Sequence, residues 1–274
     1  MARFGFSDRD GGGGTAVIFR PFYYFDTGCA AYVFGCAGKG QAAVVDPQDR
    51  DVARYVEFAA EKGMRITHVI DTHVHADHVS GGPVLAERTG AAYALHASAP
   101  VAFRFSPLRD GQEVRLGNVT ARVLHTPGHT PESICLLVTD TTRGREPWFL
   151  LTGDTLFVGS VGRPDLAEHR EQAAKDLYRS LRERILSLPD DLEIYPGHFS
   201  GSVCGRGMSG KPMSTIGFER RFNPLLSAAT ETEFVHSISQ AVLPEIGQKA
   251  AIIRRNQGRD QNQPLHGDDI VNVR

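Results

Sequence analysis

The segment Thr72-His73-Val74-His75-Ala76-Asp77-His78 packs three imidazoles and a carboxylate into one short turn of chain. Such a cluster binds a cation only if the backbone is held rigidly enough to aim the side chains at one point. The flanking residues supply that support. Ile66-Thr67-His68-Val69-Ile70-Asp71 has the β-branched, apolar character of a buried strand, and Ser80-Gly81-Gly82-Pro83 marks the start of a helix. The ligand candidates therefore sit where a strand ends. Imidazole nitrogen with carboxylate oxygen suits zinc, iron or manganese, whereas magnesium and calcium sites are dominated by oxygen. The plainer alternative, surface histidines in a polar turn, leaves the further candidates downstream unexplained.

The rest of the composition narrows the class. With 274 residues and 41% hydrophobic content the chain can bury one large core. Thirty Lys and Arg against 32 Asp and Glu leave a formal charge of −2, so no basic field points to nucleic acid or to an anionic membrane. No apolar run reaches the roughly 18 residues that span a bilayer, and Met1 to Asp10 lacks the hydrophobic stretch of a signal peptide. A cytoplasmic location and small-molecule partners are expected. Cys29, Cys36, Cys135 and Cys204 are too scattered for a disulfide framework. Cys29 and Cys36 stand an odd number of residues apart in a predicted strand, on opposite faces.

Taken in order, residues 1–14 end in four glycines and read as a flexible arm, residues 15–258 as one catalytic domain, and residues 259–274 as a polar tail. Strands are predicted around Ala16–Phe19, Ala30–Phe34 and Ala42–Val45. A helix follows over Asp51–Lys62, closed by Gly63, then the ligand-bearing strand and a second helix near Pro83–Arg88. This alternation gives an α/β fold. Further strands are predicted at Glu113–Leu116 and Val119–Leu124 around Gly117-Asn118, at Ser133–Thr139, Trp148–Leu151 and Leu192–Tyr195. An amphipathic helix is predicted over Glu168–Ser187, with shorter ones at Phe218–Phe222 and Glu231–Ser239.

Three of these strand ends deliver more ligand candidates: His129 after Pro127-Gly128, Asp154 after Thr152-Gly153, and His198 after Pro196-Gly197. The series His73, His75, Asp77, His78, His129, Asp154, His198 resembles the metallo-β-lactamase fold superfamily over about residues 15–200. The resemblance implies a four-layer αββα sandwich with the site at one edge of two packed sheets. Two further stretches, Gly153-Asp154-Thr155-Leu156-Phe157-Val158-Gly159-Ser160-Val161-Gly162-Arg163-Pro164-Asp165-Leu166 and Gly201-Ser202-Val203-Cys204-Gly205 with Ser214-Thr215-Ile216-Gly217-Phe218-Glu219, are similar to persulfide dioxygenases, in particular to the branch often fused to rhodanese domains.

For that family the resemblance implies one iron(II) per chain on His73, His129 and Asp154, leaving three positions open as in non-haem iron oxygenases. Asp77, His78 and His198 would take catalytic roles around it, orienting ligands and relaying protons, with His75 beside them. The reaction implied is oxidation of the outer sulfur of a low-molecular-weight thiol persulfide by O2, giving sulfite and thiol. Arg163 either engages an acidic part of the substrate or braces its loop. Cys204 either lines the pocket and exchanges sulfur or is simply buried. The chain ends without a rhodanese domain, so a sulfur-transferring partner is expected to be a separate protein; a homo-oligomer is compatible with everything read here. The alternative is a di-zinc thioester hydrolase of the glyoxalase II type, with His73, His75 and His129 on one Zn(II), Asp77, His78 and His198 on the other, and Asp154 bridging. Gly205-Arg206-Gly207-Met208-Ser209-Gly210-Lys211 imitates a phosphate loop, but Pro212 stands where Ser or Thr is required.

Overall fold

Strands β1 (Val17–Tyr24) and β2 (Cys29–Cys36) form an antiparallel pair in a computed structural model that describes residues 17–166, 169–199, 208–239 and 249–260. The expected arm, the tail beyond residue 260, Cys204 and His266 lie outside the described residues. β2 is buried at every position, and its two faces enter different cores. Ala30, Tyr32, Phe34 and Cys36 face a layer between two sheets, while Cys29, Ala31 and Val33 face a layer beneath helices. A strand of period two with no polar face needs material on both sides, which is why the chain builds four layers. Cys29 and Cys36 thus point apart, and both are free thiols.

The first sheet continues through β3 (Gln41–Val45), β4 (Arg65–Ile70), β5 (Ala92–His96) and β6 (Ser106–Leu108) in sequential order. Helices α1 (Val52–Glu61) and α2 (Gly82–Thr89) are the crossovers joining β3 to β4 and β4 to β5, both parallel pairs. They cover the outer face through Val52, Tyr55, Ala59, Leu85 and Ala86.

The second sheet runs β14-β13-β10-β9-β8-β7, from β7 (Glu113–Leu116), β8 (Val119–His125), β9 (Ile134–Asp140), β10 (Phe149–Gly153), β13 (Glu193–Pro196) and β14 (Ser214–Thr215). A small hairpin of β11 (Leu156–Phe157) and β12 (Ser160–Val161) projects after β10. The outer face of the second sheet is covered by α3 (Arg170–Arg179), which runs on as a wider π-type stretch over Ser180–Ile185. The sequence predicted one regular helix there. Leu177, Leu181 and Ile185 recur every four residues, a spacing that drifts by about 40° per step on a regular helix. The wider turn offsets that drift and keeps all three in the same core. Helices α4 (Ile216–Phe222), α5 (Glu231–Ser239) and α6 (Lys249–Asn256) complete the described structure.

The four-layer αββα sandwich is therefore as expected, with most strand and helix positions. Not expected were β5, β6, the β11–β12 hairpin, β14 and α6. β6 contains Pro107 and lies at the sheet edge, where a missing N–H costs no ladder bond.

Candidate metal centre

All seven ligand candidates come together at the end of the sandwich where β4, β8, β10 and β13 finish. Two glycines open the close approaches. Gly153 adopts a left-handed φ of 48°, and a Cβ there would lie 2.7 Å from Thr72 Oγ1. Gly128 has a φ of 144°, and a Cβ there would fall on the Leu177 backbone, so α3 presses directly on the loop carrying His129. The Ile134 N–H donates to the Thr72 carbonyl (2.9 Å), stitching the metal loop to β9.

His73, His129 and Asp154 close on each other, with one ligand atom from each within 4.8 Å of the others, all buried. Asp154 Oδ2 lies 3.5 Å from His129 Nε2 and 3.9 Å from His73 Nε2, and it has no hydrogen-bond partner. A buried carboxylate oxygen left without a donor is costly, and a cation between it and the two imidazoles removes the cost. Burial pushes both His73 and His129 below the ordinary histidine range, so the rings are neutral as metal ligation requires. Burial would raise Asp154, but His198, His73 and His129 outweigh it and hold the carboxyl well below its usual range.

The other candidates surround this triad. His198 sits between two carboxylates, with Nδ1 2.8 Å from Asp154 Oδ1 and Nε2 2.9 Å from Asp77 Oδ2. His78 Nδ1 approaches the same Asp77 oxygen at 3.1 Å. Burial opposes ionisation of Asp77, yet His78 and His198 lower it well below the carboxylate range. His75 Nε2 faces Asp46 Oδ1 at 3.2 Å; burial disfavours the charged ring, but Asp46 outweighs it and raises His75 to about 9. His75, Asp77 and His78 form a second cluster, and His75 Nδ1, Asp77 Oδ1 and His78 Nε2 are each buried without a hydrogen-bond partner.

Several supporting residues were not singled out from the sequence. Asp46, the one non-glycine residue with positive φ among those described (50°), accepts from the Thr72 N–H (2.7 Å) and Thr72 hydroxyl (2.9 Å). Glu132, 2% exposed, accepts from the Val74 N–H at 2.9 Å. Asn256 at the end of α6 donates Nδ2 to the carbonyls of His75 (2.9 Å) and His78 (2.8 Å), while its Oδ1 accepts from the Ser80 N–H (3.0 Å). Glu132 and Asn256 carried no local signal at all.

Arg163 is buried, and its guanidinium forms a paired contact with Asp165 (Nε to Oδ1 3.2 Å, Nη2 to Oδ2 2.7 Å). Its backbone N–H points at His129 Nδ1 (3.2 Å). Gly162 and Arg163 also wall a cavity of about 540 Å³ bordered by Lys211, Phe218 and Phe222. The stretch Ser214–Glu219 frames that cavity rather than meeting the ligands. Thr215 caps α4 by accepting from the Phe218 N–H, and Glu219 accepts from the Gly159 N–H (2.8 Å) and Ser214 hydroxyl (2.6 Å). Of the histidines outside the ligand series, His96 and His125 stack at 3.9 Å away from the triad.

Fold and ligand series together agree with the family match: the chain belongs to the metallo-beta-lactamase superfamily, whose match covers residues 25–198. Persulfide dioxygenase ETHE1 from Homo sapiens is 29% identical over 235 residues, covering 86% of this chain and 85% of that one. The crystal structure of ETHE1 from Myxococcus xanthus superposes with a TM-score of 0.77 at 32% identity, covering 89% of this chain and all of that chain. A metallo-beta-lactamase structure from Staphylococcus aureus superposes with a TM-score of 0.83 at 35% identity, covering 91% and 75% of the two chains. Within the superfamily, this chain's place is the persulfide dioxygenase family. Among the described residues no helix is long and apolar enough to cross a membrane.

Proposed function

We propose that the protein is a non-haem iron(II) dioxygenase that oxidises the outer sulfur of a thiol persulfide, such as glutathione persulfide, giving sulfite and the thiol. The observation that carries this reading is the closure of His73, His129 and Asp154 into one buried triad that does not include His75. Two imidazoles and one carboxylate are the donor set of a mononuclear site with open positions. Iron(II) on that triad would supply the electron exchange with dioxygen that zinc, with its filled d shell, cannot.

The chain's own groups meet the remaining demands. One persulfide, one O2 and one water give one thiol, one sulfite and two protons, so the site must take up protons. His198 is the group placed for this, because Asp77 and Asp154 face its two nitrogens and stabilise a proton on either. Asp77 stays ionised and fixes the ring. The cavity lined by Gly162 and Arg163 offers room for the carrier of the persulfide, and its link to the triad is the Arg163 backbone N–H, 3.2 Å from His129 Nδ1. Lys211, on the same wall, is a cationic group facing that cavity, while the Arg163 guanidinium is paired with Asp165 and would meet an acidic carrier only as part of that pair. Cys204, expected either to line the pocket and exchange sulfur or to be buried, lies outside the described residues.

A di-zinc thioester hydrolase draws support from the second cluster, His75 with Asp77 and His78. It requires His75 on the same ion as His73 and His129 with Asp154 bridging, whereas His75 Nε2 faces Asp46 Oδ1 at 3.2 Å and His75 lies outside the compact triad. Oxygen uptake on addition of glutathione persulfide, with sulfite formed in step, tests the dioxygenase reading; thiol release without sulfite counts against it.

A further inference from the structure

Side chains alternate between the two faces of β7, β8 and β9. Val114, Leu116, Val119, Ala121 and Val138 turn into the core between the sheets, so Arg115, Thr120, Arg122 and Thr139 turn outward. The register sets the outward residues in two rows, Glu113 with Arg122 and Leu137, and Arg115 with Thr120 and Thr139. Leu137 still packs into the core beneath α3, but the polar residues beyond it are not covered by that helix. With Thr141, Arg145 and Pro147 from the turn after β9 they line a groove of about 570 Å³. Thr120 and Thr139 stand toward the ends of β8 and β9 remote from the metal triad, since β8 runs from Val119 to His125, shortly before His129. Three arginines and one glutamate line this groove, in a chain whose formal charge is −2. Arg115 Nη2 pairs with Glu113 Oε2 at 3.0 Å, whereas neither Arg122 nor Arg145 has an acidic side-chain partner among the described residues. The nearest other acids are engaged: Glu146 accepts from the Arg145 backbone N–H (3.1 Å), and Asp140 holds Arg143 at 3.1 Å.

We propose that this groove binds a small phosphorylated ligand of the nucleoside phosphate type, with the phosphoryl oxygens on Arg122, Arg145 and the Thr120 and Thr139 hydroxyls. The flat body of the ligand lies against Leu137 and Pro147. Guanidinium groups converging on one groove repel each other, and an anion between them turns that repulsion into attraction. The planar fork of arginine matches phosphoryl oxygens in pairs, which makes it a better recognition group here than a point charge. Thr120 and Thr139 are cross-strand neighbours, and their hydroxyls have no partner among the described residues, so both are free to donate. The Thr141 hydroxyl is spent on the Asn118 carbonyl (2.8 Å) and shapes the wall instead. The volume is that of a small-molecule site. Glu113, in the same row as Arg122, disfavours an acidic peptide laid across the strands. Binding does not depend on the reaction proposed above, and no residue of the groove touches the metal centre.

The test is calorimetric titration of the full iron-loaded chain in magnesium-free buffer with ADP, inorganic phosphate and adenosine as probes. The expected result is uptake of roughly one ADP per chain, about tenfold tighter than phosphate and weakened by salt, with no binding of adenosine. Arg122→Gln with Arg145→Gln is expected to weaken ADP binding by roughly tenfold or more. Arg65→Gln with Arg88→Gln, which removes as much charge from the first sheet and α2, is expected to leave it unchanged. Absence of ADP uptake, equal affinity for ADP and phosphate, retention of binding in the Arg122 and Arg145 variant, or equal weakening in both pairs overturns the proposal. Should the Arg122 and Arg145 variant fail to fold, Arg145→Gln alone, in the turn after β9, takes its place; a several-fold loss is expected and full retention refutes the site.

Discussion

The side-chain amide of Asn256 spans 178 positions of sequence to donate to the His78 carbonyl at 2.8 Å. The same amide nitrogen reaches the His75 carbonyl, and its oxygen takes the Ser80 N–H, so one side chain fixes the backbone of the metal loop at three points. Asn256→Ala leaves these groups to be satisfied by water or not at all, at about 1–3 kcal/mol for the buried ones. The expected outcome is a lower melting temperature and faster loss of metal to a chelator, followed by metal analysis after timed dialysis. Equal metal retention in variant and wild type would show that the loop holds its shape unaided.

Asp154 and His75 separate the one-metal from the two-metal arrangement. Asp154→Asn weakens the triad's one anionic donor and is expected to abolish stoichiometric iron binding in protein prepared anaerobically. His75→Gln removes a ring that the triad does not include and is expected to keep iron near one per chain while lowering activity. Loss of metal in both variants to the same degree would instead make His75 a ligand.

Tyr32 donates its hydroxyl to the Pro196 carbonyl at 2.6 Å, joining the two sheets just below His198. Tyr32→Phe leaves that buried carbonyl without its donor and is expected to cost about 1–3 kcal/mol. Chemical denaturation gives the stability, and a fall in kcat with KM unchanged would show that His198 has also moved.

Gly153→Ala forces a side chain onto a left-handed residue beside Thr72. The conformational term alone is about 1–2 kcal/mol, before the clash with Thr72 Oγ1. Because Gly153 positions the next residue, Asp154, reduced iron content is expected together with reduced stability. Unchanged iron content would show that the β10 end relaxes without moving the carboxylate.

The ligand series was legible because each ligand stands at the end of a local pattern, a hydrophobic strand followed by a glycine or proline turn. The supporting groups were not legible, because they meet the loop only after folding. Asp46 reaches Thr72 across 26 positions, Glu132 reaches Val74 across 58, and Asn256 comes from a short helix that the sequence did not announce. Cys29 read as a strand residue, and only the pairing of its strand with the His198 turn brings it beside Asp77. The Ser214–Glu219 stretch shows the reverse case. It was recognisable as a motif, yet its residues cap α4 and brace the cavity instead of touching the triad.

Simultaneous recording of oxygen uptake and sulfite formation by iron-loaded protein given glutathione persulfide is the most direct test of the dioxygenase reading. Equimolar O2 consumed and sulfite formed, lost on chelation and restored by iron(II) but not by zinc, is the expected result. Dissolved oxygen left untouched by the iron-loaded protein, with rapid cleavage of an acyl thioester by the zinc-loaded protein, would contradict it.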